Sequence, residues 1–336
     1  MLFELAKKIE TLVSASKDFH CDTISQLYDL KQSGENINLK ENKLHLDLNK
    51  MKKSDYMLQV FASYVDLGSN NKPLESCLSY IDLLYKEVEK NKNEIGIVYN
   101  YEDILKNIEN KKMSALLSIE EGGVCKGNLS LLRNFYRLGV RMMTLTWNYE
   151  NELAYPNGYF YDEENNSRKG LKEKGFEFID EMERLGMIID VSHLSDDGIY
   201  DVYNNTKNPF IASHSNARSL CSHQRNLTDD MIKKIGHRGG LIGVNFYSSF
   251  LNNNYKSNDM SKIEDIIDHM KYIANMGGID SVGIGSDFDG IDCPLEFESA
   301  ENMQLIYNSM KKSGFKEEDI EKIFYKNAMR LFKELL

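Results

Sequence analysis

The sequence contains 4 prolines and no Gly/Ser-rich tract. With so few breaks and no shift in composition, nothing marks a linker, and one domain over residues 1–336 is expected. No apolar run approaches the roughly 18 residues that cross a bilayer. The five cysteines, Cys21, Cys77, Cys125, Cys221 and Cys293, are an odd number without a C-x-x-C pair. That pattern argues against a disulfide framework and for a reducing, cytoplasmic compartment. The first residues mix apolar side chains with Glu4, Lys7, Lys8 and Glu10, so they lack the unbroken apolar core of a signal peptide. Residues 1–16 read instead as a short amphipathic helix packed outside the fold. Positive charge is short as well: 41 Lys and Arg face 52 Asp and Glu, for a net charge of −11. A nucleic acid or an anionic membrane is therefore not an expected partner.

What is present is a long chain of ordinary globular composition, in which short apolar runs alternate with longer amphipathic stretches. This is the βα pattern. Candidate strands cover 18–22, 57–64, 114–120, 141–146, 187–192, 210–214, 241–246 and 281–287. Eight runs fit an α/β fold of the (β/α)8 TIM-barrel type, and 95–99 is a weaker ninth candidate. Helical patterns cover 74–91, 130–138, 170–185, 196–204, 228–235 and 262–276, followed by a tail helical over 300–313 and 317–336. Residues 148–168, rich in Asn, Tyr, Glu and Gly, have no clear period and read as a loop over a site.

Groups able to bind metal fall at the ends of these runs. The first ends in His20-Cys21-Asp22, where alternation puts His20 and Asp22 on one side and Cys21 on the other. Later runs end in Glu120-Glu121-Gly122-Gly123, in Asp190-Val191-Ser192-His193, in Ser213-His214-Ser215 and in Ser286-Asp287-Phe288-Asp289. In a barrel all these ends open on one face. Each piece alone is weak, and His45-Leu46-Asp47 repeats the first pattern in a polar setting, where it reads as structural. Together they point to a metal-dependent hydrolase. Imidazole and carboxylate without thiolate suit catalytic zinc. A Glu carboxylate can bridge two ions, and two ions about 3.5 Å apart bring a bridging water near neutrality. The hydroxide so formed can attack a carbonyl. Asp287 is the natural unliganded carboxylate to pass its proton to a leaving amine.

This set, with the segments Leu138-Gly-Val-Arg-Met-Met-Thr-Leu-Thr-Trp-Asn, Arg225-Asn226 and Val244-Asn-Phe-Tyr247, resembles the membrane dipeptidase (renal dipeptidase) family from about residue 18 to the end. The resemblance implies a dinuclear zinc dipeptidase with two Zn2+ per chain, other divalent metals being possible. His20 and Asp22 would hold one ion, His193 and His214 the second, and Glu120 would bridge them. Asp287 would shuttle the proton, Arg225 would hold the substrate's C-terminal carboxylate, and Tyr247 would stand on the site wall. Dipeptides with a C-terminal D-residue are implied substrates, and a homodimer is a family-based expectation. Two departures stand out. Glu120 and Glu121 are adjacent where many relatives have one Glu; Glu120 is chosen because it directly follows the apolar run. The histidine that relatives often carry after Thr-Leu-Thr is absent, which leaves Asn148 or Tyr149 to donate to an oxyanion.

Blander readings remain beside these. Arg225 could pair with Asp229 or Asp230. Asp289 could cap a turn or support a metal-binding histidine, and Trp147 could be packing or site wall. His223, His237 and His269 read as helix or loop histidines, and Cys21 as a buried neighbour. Rival functions are hydrolysis of N-acyl amino acids or lactams, or a non-catalytic ligand-binding barrel.

Overall fold

Among the described residues, nine parallel strands form one sheet that closes on itself. The computed structural model describes residues 16–158, 169–256 and 258–336. The strands are β1 (Ser16–Asp18), β2 (Tyr56–Tyr64), β3 (Ile95–Ile97), β4 (Met113–Glu120), β5 (Val140–Thr144), β6 (Ile188–Asp190), β7 (Ile211–Ala212), β8 (Leu241–Val244) and β9 (Val282–Ile284). Their order is β2-β1-β9-β8-β7-β6-β5-β4-β3, and pairing of β2 with β4 closes the ring. All but β3 therefore build a (β/α)8 barrel. The ninth run is a real strand outside the ring: Ile95–Ile97 pairs with the first residues of β4, and β5 takes over from Leu117 onward.

Leu58, Val60, Leu116, Met142, Ile188, Ile211 and Leu241 meet Phe19 in one apolar cluster inside the ring. Helix Asn327–Leu335 seals this lumen from the strand-start side, with Leu331 and Phe332 in the same cluster and the Phe332 ring 5.4 Å from Phe19. The other end is left for the site. A second, larger core lies between the ring and the outer helices; Phe61, Leu117 and Ile119 reach it from alternate positions of β2 and β4.

The strands stop sooner than the apolar runs suggest: β1 at Asp18, β5 at Thr144, β6 at Asp190, β7 at Ala212, β8 at Val244 and β9 at Ile284. Beyond them His193, Asp287 and Asp289 take left-handed φ values of 67°, 61° and 67°, which a regular ladder does not accommodate. Apart from Glu120, the last residue of β4, the chemistry-bearing residues thus sit on loops that leave the strands. Three helices lie outside the sequence expectation, Thr23–Gln32, Leu48–Lys53 and Tyr101–Glu109, although the last carries Tyr101, Ile104, Leu105 and Ile108 at helical spacing after the capping Asn100. Asp47 caps the second by accepting from Lys50 N, which gives His45-Leu46-Asp47 its structural reading. The tail is helical with a π-helical stretch at Lys322–Lys326. Of the expected outer helix only Ser16 is described, and it begins β1; of loop 148–168, residues 159–168 lie outside the described residues. Among the described residues no helix is long and apolar enough to cross a membrane.

Lys17, in β1, is 1% exposed. Among the described residues its Nζ meets Met57 Sδ at 3.7 Å and the Tyr325 ring at 5.0 Å, with no carboxylate beside it. Burial lowers its pKa to about 7 from the ordinary 10.5. Between those values the unfolded chain binds the proton and the native state does not, so stability rises with pH. The penalty is complete below pH about 7 and lifts as pH climbs toward 10.5. Lys17→Met is expected to stabilise the protein by roughly 3–5 kcal/mol at pH about 6, and by little at pH about 10. Urea unfolding at both values checks this, and an equal gap at the two would refute it.

Candidate metal centre

Glu120 ends β4 and is 2% exposed. Its Oε2 lies 3.2 Å from His20 Nε2, while Oε1 lies 3.1 Å from His193 Nε2 and 3.3 Å from His214 Nε2. The two latter nitrogens are 2.9 Å apart. Their partners say where the protons are. His193 Nδ1 is 2.9 Å from Asn148 Oδ1, which can only accept. His214 Nδ1 is 2.7 Å from Ser213 Oγ, whose own hydrogen goes to Asp190 Oδ2 at 2.6 Å. Each ring therefore carries its hydrogen on Nδ1 and aims the Nε2 lone pair at the other ring and at a carboxylate oxygen. A proton does not resolve this: burial, with the charges of Arg225 and His20, holds both rings well below the usual imidazole range. A cation does.

The other side of Glu120 has the same need. His20 Nε2 is 3.8 Å from Asp22 Oδ1 and 4.0 Å from Asp287 Oδ1. His20 Nδ1 and Asp22 Oδ1 are buried without a hydrogen-bond partner. Burial opposes a charge on His20, yet the Glu120 and Asp22 carboxylates outweigh it and draw its pKa well above the usual range. Burial raises the Glu120 carboxyl to about 7 against the pull of His20. Among the described residues, His20, Asp22 and Asp287 form one set of donors within 4.8 Å of one another, and Glu120, His193 and His214 form another. A third set includes Asp190, but that carboxylate already receives Thr144 Oγ1, Ser213 Oγ and the backbone N–H groups of Ser192 and Ser213. It serves to fix Ser213 and, through it, His214. Asp18 plays the matching part under β9, where Ser286 Oγ and N donate to it at 2.5 and 2.9 Å.

A cavity of about 350 Å³ opens over this cluster, lined by Asp22, Glu120, His193 and Asp287 together with Tyr64, Trp147, Asn148, Tyr247 and Phe250. The Asp287 side chain is 13% exposed, and Asn245 Nδ2 donates to its Oδ2 at 2.9 Å. Arg225 stands one layer back, its guanidinium 5.4 Å from the Phe250 ring centre. It is 6% exposed, donates to Ser215 Oγ and to the His214 carbonyl, and keeps a buried Nε–H without a partner. Burial lowers its pKa to about 10, so it stays charged at neutral pH. Asp229 and Asp230 do not take it: the first accepts from Ser219 and Tyr272, the second pairs with Lys234.

The sequence-derived residues thus fall into three groups. His20, Asp22, Glu120, His193, His214 and Asp287 converge. Asn148, Tyr247 and Trp147 stand on the wall, with the Asn148 oxygen given to His193. Tyr149 does not reach the wall; it packs over Gly68, where an added Cβ would approach its ring to 2.5 Å. Of the adjacent pair, Glu120 faces the histidines, while Glu121 accepts from Gly123 N, Asn151 Nδ2 and Trp147 N. Asp289 supports no cluster histidine: it accepts from Thr23 Oγ1 and His45 N, tying the start of helix Thr23–Gln32 to the loop at His45. His269 is buried and structural, accepting from Ala217 N. Asp190, Ser213 and Ser286 stand in the run ends named from the sequence without a role of their own there, and Asp18 has no mention among them. Their signal was a serine directly before a converging residue, repeated at Ser213-His214 and Ser286-Asp287.

A (β/α)8 barrel with imidazoles and carboxylates gathered at its strand-end face is the architecture of a metal-dependent hydrolase. The family model described as membrane dipeptidase (peptidase family M19) matches residues 6–335, and the chain belongs to that family. It is 32% identical over 307 residues to an uncharacterized dipeptidase of Schizosaccharomyces pombe, covering 86% of this chain and 72% of that one. The crystal structure of a metallopeptidase called dipeptidase AC is 25% identical with a TM-score of 0.88, covering 96% of this chain and 98% of that one. A Rhodobacter sphaeroides metallopeptidase, solved with a phosphinate mimic of L-Ala-D-Ala, shares the fold at 23% identity and a TM-score of 0.86, covering 96% and 99%. The chain is a metallodipeptidase of this family.

Proposed function

We propose that the chain hydrolyses dipeptides, including those with a C-terminal D-residue, with two zinc ions at this centre. His20 and Asp22 would hold one, His193 and His214 the other, and Glu120 would reach both. The observation that carries this is the split of the Glu120 carboxylate, one oxygen toward His20 and the other toward two facing imidazole lone pairs. When bound, the ions would polarise the peptide carbonyl and make a water acidic enough to attack it near neutral pH. The chain's own groups do the rest. Asp287 Oδ1, left open by the Asn245 bond to Oδ2, takes a proton and gives it to the leaving amine. Asn148 and the Asp190–Ser213 pair keep His193 and His214 in one tautomer. Arg225, a buried cation with an unmatched Nε–H, reads the free carboxylate of the substrate. Free, buried cysteines suit a reducing compartment and support a cytoplasmic place.

Metal content and a substrate panel test this. About two equivalents of zinc per chain are expected, with turnover of dipeptides such as L-Ala-L-Ala and L-Ala-D-Ala. Turnover of N-acyl amino acids or lactams in place of dipeptides would redirect the substrate, and a zinc-loaded chain that hydrolyses none of them would leave a ligand-binding barrel. Arg225→Met is expected to raise KM for a dipeptide by about 10–100-fold with kcat little changed, the loss of a charge-assisted hydrogen bond. Amidation of the substrate's carboxylate should abolish the difference between parent and variant. A variant with unaltered KM would remove Arg225 from carboxylate recognition.

A further inference from the structure

Glu121 has no part in the chemistry described above, yet the fold keeps it at high expense. Its side chain is fully buried. Its backbone holds φ 107°, a region that side chains other than hydrogen disfavour. Its carboxylate faces neutral donors: Oε1 accepts from Gly123 N at 2.7 Å and Asn151 Nδ2 at 2.5 Å, and Oε2 accepts from Trp147 N at 2.9 Å. Two of those three donors belong to the loop that leaves β5. Asn151 also donates to the Leu145 carbonyl and accepts from Leu153 N and Ala154 N, so the loop is tied to itself and to Glu121 at one point. Between the tied residues stand Trp147, on the cavity wall, and Asn148, whose oxygen meets His193 Nδ1. The paired glycines let the loop approach. A Cβ on Gly122 would meet the Leu145 carbonyl oxygen at 2.9 Å, and one on Gly123 would meet Glu121 Oε1 at 2.7 Å.

We infer that Glu121 is a positioning residue for dipeptide hydrolysis, clamping the Trp147–Asn151 loop so that Asn148 orients His193 and Trp147 closes the cavity. The inference rests on the proposed reading of the site for its effect on rate, but not for the clamp itself. Glu121 acts through hydrogen bonds that demand an acceptor at both oxygens. Glu121→Gln keeps the size and replaces one acceptor by an N–H2 group, so donor faces donor and the loop is released.

Trp147 is the sole tryptophan of the chain, which makes its emission a report on this loop. In the zinc-loaded protein, Glu121→Gln is expected to increase acrylamide quenching of Trp147 by about 2-fold or more. It should lower kcat by about 10–100-fold, as small misplacements of a reacting geometry do, with zinc content retained. Asn151→Ala, which removes one donor to Oε1 together with the bonds that tie the loop to itself, should shift both readouts in the same direction, and it serves if Glu121→Gln does not fold. Quenching equal to the parent's in either folded variant would overturn the clamp, even if the melting temperature fell. Unchanged kcat beside increased quenching would overturn its role in positioning. A parent without dipeptide turnover would sink the proposed reaction instead, while quenching would still decide the clamp.

Discussion

Asp287→Asn is expected to lower kcat on a dipeptide by about 10²–10⁴-fold, the usual worth of a positioned proton-transfer group, while zinc content stays at the parent's level. The substitution is conservative in every other respect. Asn fills the same volume and tolerates the left-handed backbone that Asp287 adopts at φ 61°. The wall position is kept, and so is the chance of an interaction with Asn245. What is lost is a group able to carry a proton between the attacking water and the leaving amine. Metal analysis sharpens the result, because Asp287 also completes a donor set with His20 and Asp22. A variant that has lost zinc would reassign Asp287 as a ligand, and one that keeps both zinc and rate would end its assignment as shuttle.

The second large effect belongs to Glu120. Glu120→Gln is expected to abolish tight binding of both ions and to cut kcat/KM by more than the roughly 10–100-fold that loss of an outer hydrogen-bond partner brings. The reason lies in the geometry. One carboxylate faces three imidazole nitrogens across two sets of donors, and no other carboxylate of the described cluster spans both. An amide can offer a single oxygen, and its N–H2 would hydrogen-bond to an imidazole lone pair that the ion needs. Thermal unfolding gives an independent measure. Zinc at about 100 times its Kd stabilises the parent by roughly 2.7 kcal/mol, and the variant should show no such gain. A variant that still binds two ions tightly would show that Glu120 is not the shared ligand.

Much of the barrel is legible because burial on both faces makes strands read as apolar runs. Register accounts for where Glu120 stands: Leu58, Val60 and Tyr64 of β2 lie opposite Ser114, Leu116 and Glu120 of β4, so one alternation carries the lumen upward into the site. The exact strand ends were not legible. Left-handed φ at His193 and Asp287 comes without a glycine to announce it, and an apolar run looks the same whether or not its last residues pair. Ile95–Ile97 is likewise a proper strand in isolation; only its partner shows that it lies outside the ring. Asp190 and Asp18 were hidden for another reason. A buried carboxylate that accepts several hydrogen bonds and one that binds a cation have the same sequence signature, and only the positions of Ser213 and Ser286 tell them apart. Arg225 shows the limit for direction: its burial behind Phe250 depends on a loop fold that no local pattern encodes.

The plug formed by helix Asn327–Leu335 beneath the lumen has a consequence for traffic. Among the described residues, a chamber stoppered at its floor opens at the strand-end side. A substrate that enters there, and products that leave there, pass Trp147 and Tyr247 at the wall. On that side, arrival of the next substrate and departure of the last product share one passage.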